Sequence, residues 1–197
     1  MLGIPTYEPN FFNDADLFLK TQKDKFEKLI GKPIARFWVM WDENENEWYP
    51  DGPVILEIDG DNYEFCAYQL DDFSFTLNKI DLTGKLDWYG MGDELPLSWK
   101  ENGKQELRES LNQPISAINV LTYNFKSKNV ETGEPHETGF MMHGIEFELK
   151  KENDVTTYFS IFNGLDQNAL SSERVEQEDQ IERIKVTGYN RVDGREP

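Results

Sequence analysis

The sequence predicts a mainly β fold, an antiparallel barrel or sandwich with an N-terminal α-helix packed on it. Three observations lead there. Aromatic residues make up 13% of the 197 residues while hydrophobic residues reach only 38%, a balance that favours strands over bundled helices. Several segments alternate with the strand period of two, as where Ile118, Val120 and Thr122 interleave with Asn119, Leu121 and Tyr123. Short turns rich in Gly, Asp and Asn separate these segments, the pattern of local antiparallel pairing. Roughly eight to ten strands follow. The length suits a single domain over 1–197, with a helix at 14–30, a β-rich body at 34–189 and a frayed tail at 190–197. A chain this long buries roughly 70% of its unfolded surface, so it needs no staples.

The elements run as follows. Asn13 and Asp14 cap a helix in which Phe18 and Phe26 lie two turns apart, with Lys20, Lys23, Lys25 and Lys28 largely off that stripe. Gly31 and Pro33 end it. Its charge balance is too mixed for a membrane-surface helix. The run 34–41 is apolar on both faces, as a strand covered on both sides requires. Residues 42–52 read as a polar loop. Strands at 54–58 and 63–68 flank Asp59-Gly60-Asp61-Asn62, whose Asp-Gly pair permits the positive φ angles of a tight hairpin. Further strand is expected at 73–77 and 79–82, short apolar pieces at 86–89 and 97–99, and a short helix at 103–111. A strong strand at 115–125 precedes a polar loop at 126–139, a second hairpin over 145–162 and a last strand at 181–189. The two hairpins share an outline of alternating strand, polar turn and aromatic return. That outline supports an alternative architecture, two related α+β halves sharing a core.

Charge removes several function classes. The formal charge of −18 repels nucleic-acid phosphates and anionic headgroups, and there is no basic stripe. The longest apolar runs, 37–41 and 54–56, are too short to span a bilayer. The first residues lack the basic start and apolar core of a secretory signal. Cys66 is the single cysteine, which fits a reducing cytoplasm. The expectation is therefore a cytoplasmic protein with no nucleic-acid or membrane partner.

Catalytic and metal chemistry finds little support. His136 and His143 have no cysteine nearby, and an odd spacing puts them on opposite sides of a strand. Asp42, Asn44 and Asn46 offer oxygens at alternate positions, but Glu47 and Pro53 stand where a calcium loop needs Gly and a bidentate Glu. No nucleophile elbow, P-loop or dinucleotide fingerprint is present, and Cys66 reads as a small packing residue. No catalytic residue, metal site or cofactor is expected.

What remains is an acidic, aromatic stretch. Residues 42–94 hold fifteen carboxylates and two lysines, Lys79 and Lys85, among aromatics that include Trp48, Tyr49, Trp88 and Tyr89. Half of the hairpin side chains must point inward, so the loop at 42–52 is the best surface. Asp42, Glu43, Glu45, Glu47, Trp48 and Tyr49 are the expected contacts for a basic protein.

The string from Phe159 to Leu170, the 54–65 hairpin and Leu97-Ser98-Trp99 give 34–168 the outline of a known class. The chain resembles small acidic proteins of Gram-positive bacteria, some of which are immunity proteins beside polymorphic toxins. The resemblance implies a class and carries over no site residue. The expected function is a non-catalytic protein-binding protein, with neutralisation of a basic toxin domain as its specific form. One alternative is a carbohydrate-binding or carbohydrate-active β protein, drawn from Trp38, Trp41, Trp48, Trp88 and Trp99. Another is a structural subunit of an oligomer.

Overall fold

The computed structural model describes residues 2–69, 72–124, 127–136, 140–151, 153, 155–176 and 180–189. In chain order the elements are β1 (Phe11–Phe12), α1 (Ala15–Glu27), β2 (Ile34–Asp42), β3 (Glu47–Trp48), β4 (Val54–Ile58), β5 (Asp61–Tyr68) and β6 (Asp72–Leu77). They continue with β7 (Leu97–Glu101), β8 (Ile115–Asn124), β9 (Ser127–Lys128), β10 (Pro135–His136), β11 (Phe140–Lys150), β12 (Thr156–Asn163), β13 (Asn168–Ser171) and β14 (Ile181–Lys185). The first sheet runs β1-β6-β5-β4-β2-β3, with β7 on the other edge of β2. The second runs β13-β12-β11-β8-β14, and β9 and β10 form a separate ribbon. All strand pairs are antiparallel.

The fold is a sandwich. Neither sheet closes on itself, so the barrel is set aside. The main core lies between the sheets, where Phe37 meets Phe159 at 5.3 Å and Phe65 meets Phe147 at 6.3 Å between ring centroids. The helix packs on it as expected. Asp14 caps the helix, its Oδ1 accepting from the N–H groups of Asp16 (2.7 Å) and Leu17 (3.1 Å). Ala15, Phe18, Leu19, Gln22 and Phe26 form the buried stripe, and Phe18 reaches Phe12 and Phe75. The helix ends at Glu27 and gives way to turns before Gly31, earlier than expected, with Gly31 at φ 84°. No second α-helix occurs among the described residues, which weighs against two α+β halves.

The doubly apolar β2 marks a second core. Phe37 and Val39 face the helix and second sheet, while Trp38 and Met40 face the opposite way. A bulge between Ile34 and Arg36 moves Ile34 onto the Phe37 face, breaking simple alternation. Over Trp38, Met40, Ile55 and Cys66 lie Leu2, Ile4, Tyr7, Ile80, Leu86 and Trp88. Residues 79–82 thus form cover over this face and make no strand, contrary to the expectation. The expected hairpin turn is present, with Asp59 at φ 56° and Gly60 at φ 87°. The expected helix at 103–111 is a 3₁₀ turn, Gln105–Ser110. The last strand stops at Lys185, and the expected tail, 190–197, lies outside the described residues.

Candidate functional site

The segment read as a polar loop folds into a hairpin. Asp42 pairs with Glu47 and Trp41 with Trp48 across a four-residue turn. Asp42 drives it: its Oδ1 accepts from the N–H groups of Asn44 (2.8 Å) and Glu45 (3.2 Å), an Asx-turn. Asn46 completes the reversal at φ 54°, a conformation that Asn tolerates. Its Oδ1 accepts from the Trp41 indole at 3.3 Å.

The six expected contact residues separate. Glu43, Glu45 and Glu47 stand exposed at the tip. Glu43 also accepts a hydrogen bond from the Ser98 hydroxyl, and its N–H donates to the Pro96 carbonyl at 3.0 Å. Asp42 is half-buried and committed to the turn. Trp48 leans against the main core with the Lys104 ammonium 4.8 Å above its ring. Tyr49 packs into the second core, edge-on to Trp88 at 5.1 Å. Burial first, and then the Asp51 and Asp42 carboxylates, push its phenol up to about 12. The hairpin therefore gathers three acids and sends its two aromatics inward on opposite faces of the sheet.

Two further turns bear on the site, the second of which the sequence announces at Asn163-Gly164 with Leu165 and Leu170 expected to fold back onto the sheet; Leu170 does and Leu165 does not. Residues 86–96 are fastened to the tip, where the Asn44 side-chain amide donates to the Glu94 carbonyl at 2.9 Å. In this segment Trp88 is buried, while Tyr89 is 65% and Met91 41% exposed. Tyr89 has φ 50°, in the left-handed region that disfavours bulky side chains. The second turn links β12 to β13. There Leu165 is 79% exposed at φ 69°, and Asp166 follows at φ 69°. Asn163 stabilises this turn, accepting from the Asp166 N–H at 3.1 Å.

The turn is anchored by Asn168, which is 1% exposed. Its Nδ2 donates to the carbonyls of Pro50 and Gly52, both at 2.8 Å, and its Oδ1 accepts from the Ala67 N–H at 2.8 Å. One buried amide thus pins the second sheet to the first, just beyond the acidic hairpin. The distinctive string 159–170 owes its character to this clamp. Its partners lie about a hundred positions away, where no local spacing could show them. Exposed Glu43, Glu45 and Glu47 are joined at the tip by exposed Glu94 and its neighbour Asp93, held there by the Asn44 hydrogen bond.

Cys66 and His143, two further groups that could bear chemistry, are both buried. Burial pushes the Cys66 thiol up to about 12, so it is no nucleophile at neutral pH. His143 occupies a bulge in β11 between the rings of Tyr123 and Phe162. Burial pushes its imidazole down to about 4. The His136 side chain lies outside the described residues. Among the described residues no group of three or more His, Cys, Asp or Glu side chains is arranged to hold a metal. No helix among them is long and apolar enough to cross a membrane.

No protein-family model, curated protein or solved structure matches the chain.

Proposed function

We propose that the chain is a non-catalytic cytoplasmic protein that binds a basic protein, with neutralisation of a basic toxin domain as its specific form. One observation carries the reading: an exposed acidic hairpin tip shares a scaffold with two exposed apolar side chains in left-handed backbone. Tyr89 and Leu165 combine exposure with unfavourable φ angles. Such local strain concentrates at recognition sites, where the surrounding structure enforces it. In this reading the carboxylates steer encounter, raising association toward ~10⁸ M⁻¹s⁻¹ at low salt. Tyr89, Met91 and Leu165 then supply short-range contact area.

The tryptophans favour this reading over carbohydrate binding. Trp38 and Trp88 are buried, and Lys100 and Lys104 lie 3.5 and 4.8 Å over the rings of Trp41 and Trp48. Trp41, Trp48 and Trp99 are moreover half-buried against the two cores, which leaves little ring surface for a sugar to stack on.

The test begins with capture of the partner from the native organism and its identification. Association is then measured at two salt concentrations for the wild type and Glu45→Lys/Glu47→Lys. The double reversal should slow association about tenfold at low salt, with dissociation nearly unchanged. Its folding stability should shift by no more than about 0.5 kcal/mol. An association rate indifferent to both salt and charge reversal overturns the reading.

A further inference from the structure

We propose that the groove between residues 3–5 and 87–89 is a docking site for an arginine side chain of the basic partner. The proposal rests on the protein-binding reading above and names the side chain recognised. The groove has a volume of about 330 Å³ and is lined by Gly3, Ile4, Pro5, Asp87 and Tyr89. Its walls are tied together, since the Asp87 N–H donates to the Gly3 carbonyl at 2.8 Å. They meet closely: Gly3 has φ 63°, and a Cβ there would stand 2.7 Å from Trp88 Cα. The apolar floor is Ile4, 4% exposed above the second core.

The chemistry of the lining selects the occupant. Asp87 is exposed and accepts one hydrogen bond at Oδ1, from the Gly92 N–H at 3.1 Å. A carboxylate has about four acceptor sites, so capacity remains for a forked donor. Beside it stands the Tyr89 ring, 65% exposed. A guanidinium is planar, stacks on aromatic faces and pairs bidentately with carboxylates. Its alkyl stem would lie along Ile4 and Pro5. An ammonium satisfies fewer of these features. The sign of the charge agrees, because Asp93 and Glu94 follow in the next turn and the whole chain carries −18. A larger concavity of about 650 Å³ is lined, among the described residues, by Lys150 and Lys151 and by no carboxylate.

The backbone supports a built groove. Thr6 at φ 62° and Tyr89 at φ 50° put left-handed, non-glycine residues in the flanking segment and in the wall itself. The hydrogen bond between the walls and the buried Trp88 hold them there.

The test titrates N-acetyl-arginine amide, and its neutral isostere N-acetyl-citrulline amide, into the ¹⁵N-labelled full chain and follows amide shifts by NMR. Arginine should give saturable shifts centred on Ile4, Asp87 and Tyr89, with citrulline at least about fivefold weaker. Asp87→Asn and Tyr89→Asn should each weaken arginine binding about fivefold. The melting temperature should not fall in either variant. Shifts spread without saturation over the carboxylates, equal binding of citrulline, or indifference to both variants overturn the groove. The two proposals fail separately. If arginine ignores the groove while Glu45→Lys/Glu47→Lys still slows capture of the basic partner, the groove falls and the protein-binding reading stands. If arginine binds as described while partner association ignores salt and charge reversal, the protein-binding reading falls.

Discussion

The two sheets hide their outer faces by opposite means. Over the first sheet lies an apolar cover of Leu2, Ile4, Tyr7, Ile80, Leu86 and Trp88. Its main polar pin is Glu64, fully buried, which accepts from the N–H groups of Lys79 and Ile80 at 2.7 Å and from the Thr76 hydroxyl at 2.5 Å. Over the second sheet the fastening is ionic. Glu146, also fully buried, accepts from Arg183 Nε at 2.8 Å and Nη2 at 3.2 Å. It accepts further from Asn119 (3.2 Å) and from the Val175 N–H (3.1 Å), while Arg183 donates to the Val175 carbonyl. The Val175 backbone is held over this sheet by a few directional bonds to the Arg183–Glu146 pair, which itself spans strands β14 and β11. An apolar cover is held by area, so its outer turns can reach into solvent, and Tyr89 and Met91 do so. The acidic hairpin tip is fastened to the rim of that cover through Asn44 and Glu94.

The sharpest way to break this contrast is to remove the cation. Arg183→Met leaves Glu146 buried without its partner and should cost ~3–5 kcal/mol in urea denaturation. Glu64→Gln keeps an acceptor for the backbone donors and removes no buried cation, so about 2 kcal/mol is expected. Equal losses would show that the two covers are held alike.

On the acid side, one pH-dependent contribution belongs to the second sheet. His143 packs on its outer face between Tyr123 and Phe162 and is pushed by burial from 6.5 down to about 4. As pH falls, the unfolded chain takes up this proton near pH 6.5, while the folded chain resists until about 4. The stability carried by the neutral ring is whole above pH 6.5, declines through that window and is lost by pH 4, about 3 kcal/mol in all. His143→Phe keeps the ring contacts and cannot protonate. Its acid loss between pH 7 and 4 should be smaller than that of the wild type by about this amount. Parallel stability curves would remove His143 from the account.

The legible part of the fold was its local part. Two-sided apolarity in β2 announced a strand with cover on both faces, and Asp59-Gly60 announced its turn from the φ angles such turns need. The bulge at Ile34 to Arg36 and the Arg183–Glu146 pair were not legible, because each depends on partners far along the chain. Of the candidate site, the acids of the hairpin tip were visible as composition. Trp48 and Tyr49 were drawn on the same surface because a loop imposes no alternation. Once Asp42 closes the Asx-turn, the pleat of β3 decides which way they point. Tyr89 was visible only as one aromatic of the acidic stretch, and its exposed left-handed placement was illegible for the converse reason. Its backbone is set by the burial of Trp88 and by Gly90 at φ 84°, and no aromatic residue signals a left-handed turn by its own propensity.

The rim of the first cover yields the smallest expected effect and the most discriminating one. A bulky residue in the left-handed region costs ~1–2 kcal/mol against the ordinary backbone. Asn tolerates that region, because its short polar side chain bonds locally. Tyr89→Asn gives up the edge-on contact with Trp88, 5.3 Å between centroids, worth ~0.5–1.5 kcal/mol when such pairs are buried and less at 65% exposure. The relieved strain outweighs the lost contact, so the variant should be more stable by about 0.5–1 kcal/mol in urea denaturation. The same substitution should weaken arginine binding. Gain of stability with loss of binding is what a residue held for recognition produces. A loss of stability would instead make the Tyr89 ring part of the cover, and the first sheet would then be closed by its apolar layer as fully as the second is by its ion pair.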